Sequence, residues 1–75
     1  ELLANGSIYV FGALRGRAVA GLQGERDASI LCYDMQAEVI AIAGVYMLGE
    51  EIDRKHLGKL TEVTLGEELV LESVG

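Results

Sequence analysis

The chain has 75 residues, a formal net charge of −6 and a single cysteine. A chain this short makes one domain and buries only about 60% of the surface that its unfolded form exposes. One cysteine excludes an internal disulfide and a cysteine metal cluster, and the acidic balance argues against nucleic acid as the main partner.

No apolar run approaches the roughly 18 residues of a membrane-spanning helix, so a cytoplasmic protein is the default expectation. Half of the residues are apolar, proline is absent and ten glycines are spread along the chain. That mix suits short strands with tight corners. The charge is uneven, because residues 2–24 hold Arg15 and Arg17 and no acid while the last third is rich in glutamate. The whole chain is read as a single all-β domain, 1–75, with its main strands in 1–48 and a connector with terminal strands in 49–75.

Residues 1–5 open on ELLA, already apolar, like a chain entered partway through a fold. Asn5-Gly6 is a turn signal, since both residues tolerate positive φ. Residues 7–11 form a strand, with Ile8 and Val10 on one face and Tyr9 and Phe11 on the other. Leu14, Arg15 and Gly16 make a corner. Residues 17–21 form a second strand, with Ala18 and Ala20 on one side and Arg17 and Val19 on the other. After the polar loop QGERD, residues 28–33 form a third strand. Its residues Ala28, Ile30 and Cys32 face one way, and Leu31 and Tyr33 the other. Residues 38–44 form a fourth, whose all-apolar run from Val39 to Ala43 implies cover on both faces. Residues 45–48 read as its extension. Residues 50–56 are a charged connector with His56 as a solvated side chain. Residues 61–65 and 69–73 form a hairpin that covers the open end of the core.

Three strands finish apolar, apolar, Gly, at Gly12, Gly21 and Gly44. Strands begin about every ten residues, so the fourth is expected one three-strand circuit beyond the first. That is the pattern of a three-sided β-solenoid, with small residues Ala18, Ala20 and Ala28 filling a narrow core. A meander or small sandwich fits the same strands. Cys32, inside an apolar run, reads as a small buried hydrophobe. GALRGRAVAG lacks the Gly-Lys-Ser/Thr ending of a phosphate loop, and the acids Glu50, Glu51 and Asp53 lack the spacing of a calcium loop. No cofactor or metal is expected.

GSIYVFGALRGRAVAG followed by ASILCYDMQAEVIAIAGVYMLGEEI resembles the C-terminal domain of the bacterial septum-site-determining protein MinC. Gly6, Ile8, Val10, Gly12, Leu14, Arg15, Gly16, Arg17, Ala18, Ala20 and Gly21 fit that family's pattern, and so do Ala28, Ile30, Cys32, Ala37, Glu38, Ile42, Ala43, Gly44 and Tyr46. Gly58-Lys59 falls where the family has a Gly-Lys before its final strands. Asn5, Ser7 and Tyr9 depart from it. The family's Arg-Ser-Gly-Gln motif, associated with binding the membrane ATPase MinD, is not among these residues.

The resemblance implies a right-handed β-helix that dimerises through a flat apolar face. It also implies a non-enzymatic division inhibitor that acts on the tubulin-like protein FtsZ and is recruited to the inner face of the membrane by MinD. It places Val39 and Ala41 outward and Ile40 and Ile42 inward. Arg15 and Arg17, with Glu38 and Val39, are the candidate partner-binding residues, since paired arginines clamp carboxylate-rich peptides. Tyr9, Phe11, Leu31 and Tyr33 are the candidate dimer interface, because a small monomer rarely exposes so much apolar surface. A structural solenoid that stacks end to end through its strand edges is the competing reading. An enzyme on a β-helix scaffold is disfavoured by the single histidine and the few acids on the strands.

Overall fold

The computed structural model describes residues 1–75, and every regular strand in it joins one sheet. The elements are β1 (Leu2–Leu3), β2 (Ile8–Ala20), β3 (Ile30–Ile42), β4 (Val45–Leu48), two 3-10 turns (Gly49–Glu51 and Arg54–His56), β5 (Leu60–Leu65) and β6 (Leu69–Val74). The four short strands expected in residues 7–44 are therefore two long ones. Each is broken by irregularities of register between Val10 and Ala13 and between Gly16 and Arg17, so each runs as three straight segments.

β2 and β3 pair in parallel. Ile8 lies against Ile30, Leu14 against Met35 and Arg17 against Val39. Residues 30–32 thus stack on 8–10, and 39–42 stack on 17–20. This corrects the expectation that the fourth stretch would stack on the first. The corner residues 13–16 and 34–37 join the ladder as a strand pair of their own, at an offset of 21 residues against 22 in the flanking segments.

The inward rows form one core. Leu14, Ala18, Ile30, Cys32, Met35, Ile40, Ile42 and Val63 are essentially sealed from solvent and belong to a single cluster. Alternation predicted this facing correctly at Ile8, Ala18, Ala20, Ile30 and Cys32. Ala41 is buried although it was expected to point outward, in keeping with a strand covered on both faces. It sits in register between Val19 and Tyr46, both larger residues.

β3 is paired along most of its outer edge. β5 pairs antiparallel with residues 30–32, Met35 bridges Leu57, and β4 pairs antiparallel with residues 39–42. β4 is not the extension that was expected. Ala43 (φ 51°) and Gly44 (φ 84°) form a two-residue turn with both φ positive, which sends the chain back on itself. On the other side, β2 pairs with β1 only at Ala18 and Val19. The predicted hairpin is present as β5 and β6, in register from Leu60 with Val74 to Leu65 with Leu69.

His56 is not solvated, as its charged neighbours suggested, but buried. The Asp53 carboxylate accepts from the Lys55 N–H and caps the turn, and this directs the His56 ring beneath β6. There Nδ1 bonds the Ser73 hydroxyl.

Candidate functional site

The corner after Gly16 gathers the four candidate partner-binding residues. Gly16 lies opposite Ala37 and Arg17 opposite Val39, which leaves Glu38 as the extra residue of a bulge directly across from the corner. Arg15 lies one step before it, opposite Gln36. Arg15, Arg17 and Glu38 are exposed, and Val39 is half-buried. The two arginines stand on either side of Gly16, whose φ is 74°. The bend is buttressed from outside. Gly49 packs so closely that a Cβ there would stand 2.4 Å from the Ala37 carbonyl oxygen.

The second candidate set lies on the outer face of residues 8–11 and 30–33. Tyr9 is opposite Leu31. Phe11 and Gly12 together face Tyr33 alone, a bulge that turns Phe11 outward. Phe11 is the most exposed large apolar side chain, at 78%, and its ring meets that of Tyr33 edge to face with centroids 5.7 Å apart. Tyr9 and Tyr33 are exposed, while Leu31 is half-buried. Across the sheet the row continues from Leu31 to Glu62 and Glu72, so the apolar patch ends on a carboxylate edge.

A third group escaped the sequence reading. Leu3, Val19, Ala41 and Tyr46 stand in one row across β1, β2, β3 and β4, beside the row Arg17, Val39, Leu48. Leu3, Tyr46 and Leu48 are exposed. Alternation after Gly44 could have found Tyr46, but only if β4 had been read as a strand that reverses.

Neither arginine of the corner donates a side-chain hydrogen bond within the chain, in contrast to Arg26, which donates to the Gly66 carbonyl at 3.0 Å. Both are free to meet an external acceptor. Cys32 offers no nucleophile. It is fully buried, and burial pushes its thiol up from the ordinary value while backbone bonds near Thr61 and Asp34 pull the other way. No group of three or more His, Cys, Asp and Glu side chains converges as a metal site would require. No helix is long and apolar enough to cross a membrane.

These features can be set beside known proteins. The chain is 44% identical over 75 residues to the probable septum site-determining protein MinC of Vibrio cholerae serotype O1, covering 99% of this chain and 34% of that one. It is 48% identical over 67 residues to the corresponding protein of Klebsiella pneumoniae, covering 89% and 29%. It therefore spans about a third of the length of the curated relatives it matches. Among solved structures it is similar to the MinC:MinD cell division protein complex of Aquifex aeolicus, with a TM-score of 0.81 and 33% identity, over 96% of this chain and 59% of that one. The family model for the septum formation inhibitor MinC, C-terminal domain, matches residues 1–74, and the chain belongs to that family.

Proposed function

We propose that this domain is a non-enzymatic, partner-binding part of a septum inhibitor: a right-handed three-sided β-helix that dimerises and binds FtsZ and MinD, and so blocks septum formation at wrong sites. It works in the cytoplasm, recruited to the inner face of the membrane by MinD. The observation that carries the reading is the membership of the family over nearly the whole chain, joined to an exposed, unpaired arginine pair at a bulged corner.

In this reading Arg15 and Arg17, with Glu38 and Val39 beside them, receive a short acidic-apolar peptide of the FtsZ tail. The guanidinium groups take the carboxylates in bidentate hydrogen bonds, and Val39 supplies apolar contact. Arg17→Ala removes one such charge-assisted contact, worth about 1.5–3 kcal/mol, and weakens tail-peptide binding by about 10- to 100-fold. Fluorescence anisotropy of a labelled tail peptide measures this. Unchanged affinity in a folded variant removes Arg17 from the site.

Tyr9, Phe11, Leu31 and Tyr33 form the two-fold interface. Phe11→Asp places a charge at its centre and yields monomers by light scattering. The row Leu3, Val19, Ala41, Tyr46 favours a second placement of the interface, on the neighbouring face. Tyr46→Asp separates the two. Loss of the dimer in Tyr46→Asp with its retention in Phe11→Asp moves the interface to the second face.

A further inference from the structure

The tail of the chain builds a small polar relay that the partner-binding reading does not use. Thr61 Oγ1 lies 3.0 Å from the Lys59 carbonyl and 3.4 Å from the His56 carbonyl. A carbonyl cannot donate, so the Thr61 hydroxyl proton is committed to these oxygens. Ser73 Oγ lies 3.0 Å from Thr61 Oγ1, and its proton must therefore supply that bond. What remains for Ser73 is to accept from His56, so Nδ1 of His56 carries a proton. The chain of donors runs His56 to Ser73 to Thr61 to backbone.

This fixes the tautomer and leaves Nε2 as the nitrogen with a lone pair. Nε2 makes no hydrogen bond within the chain. No side-chain nitrogen or oxygen sealed from solvent lacks a partner, so Nε2 keeps contact with solvent, and His56 lines a cleft. That cleft measures about 400 Å³ and is lined by Lys55, His56, Lys59, Leu71, Glu72 and Ser73. Two of the six basic residues of an acidic chain thus flank the single histidine.

We propose that this cleft binds a phosphate-type oxyanion through His56 Nε2 and the ammonium groups of Lys55 and Lys59. The anion draws a proton onto Nε2, and the imidazolium then donates to it while the relay holds the ring in place. The charged groups near the ring are Asp53, Arg54 and Lys55 of its own turn, Lys59 before β5 and Glu72 of β6, which lines the cleft; Glu62 points to the opposite face of β5 from Thr61. Glu72 opposes the anion and already faces Glu62 across the hairpin, so it sets an upper limit on affinity. The site shares no residue with the arginine corner or the aromatic patch.

The experiment is the pH titration of the His56 ring by proton NMR, which reads one residue because the chain has one histidine. Titrations are run in chloride and in inorganic phosphate at equal ionic strength. Linkage requires that an anion preferring imidazolium raise the midpoint, by roughly half a unit at tens of millimolar phosphate. The shift disappears in the K55Q/K59Q variant and grows in Glu72→Gln. Equal midpoints in the two salts, or an undiminished shift in K55Q/K59Q, overturn the proposal. Vesicles distinguish the source of the oxyanion. Broadening of the His56 signal with phosphatidic acid in phosphatidylcholine, and not with phosphatidylcholine alone, assigns a lipid headgroup. A response to dissolved phosphate only assigns a soluble ligand.

Discussion

Ile40→Ala is expected to lower the melting temperature by at least about 8 °C, since the truncation costs about 2–5 kcal/mol and each kcal/mol moves a domain of this size by about 4–8 °C. Ile40 is sealed from solvent in the middle of the core. Its backbone is flanked on both sides, by Ala18 of β2 and Met47 of β4. Ala18 cannot expand to fill the space that truncation leaves. Collapse around the cavity would have to move β3, the strand that β2, β4 and β5 all pair with. A domain of 75 residues has about 4–11 kcal/mol of stability in total, so the loss is a large share of it. Thermal and urea unfolding followed by circular dichroism measure the change, with Ile40→Val as the graded control at about 0.5–1.5 kcal/mol. A fall of only a few degrees for the alanine variant would show that the wall of the core relaxes freely at this point.

Gly21→Ala is expected to cost more than Gly24→Ala by about 2 kcal/mol or more, although both glycines have positive φ. Gly21 has φ 59°, and a Cβ there would stand 2.5 Å from the Glu25 carbonyl oxygen and 3.2 Å from the Ala43 nitrogen. Both are backbone atoms, so neither can rotate away. Glu25 holds its carbonyl in a bond from the Ala28 N–H, and the Ala43 N–H donates to Ala20. The overlap therefore presses on the loop that joins β2 to β3 and on the turn that reverses the chain after β3. Gly24, at φ 92°, has no atom within 4 Å of the same position. Its substitution isolates backbone strain, about 1–2 kcal/mol. Denaturant midpoints of the two variants, measured side by side, give the difference. Equal losses would mean that the loop yields without cost and that the close approach at Gly21 carries no stability.

The facing of the strands was legible in the sequence because a pleated strand alternates strictly. The order Ile8, Tyr9, Val10, Phe11 could only put two residues in and two out, and the structure does so. The hairpin of β5 and β6 was legible for the same reason. The arginine corner was found through the spacing of Gly16 between two arginines. The bulge at Glu38 that faces it was not, because it comes from the parallel pairing of two distant stretches.

What the sequence by itself determined is the all-β class, the alternation of inward and outward side chains, the membership of the family and the candidate residues that go with it. Tertiary structure decided the rest. The parallel pairing of β2 with β3 joins residues far apart in the chain and includes corner stretches such as ALRG and DMQA that carry no strand periodicity. The reversal at Ala43 puts an alanine at positive φ, which local preference opposes and which the pairing of β4 with β3 sustains. His56 illustrates the same division. Its neighbours in the chain are charged and exposed, but Ser73, 17 residues on, is the group that draws it inside. Local chemistry dictates which way each side chain points along a strand, whereas contacts between distant residues dictate which strands meet.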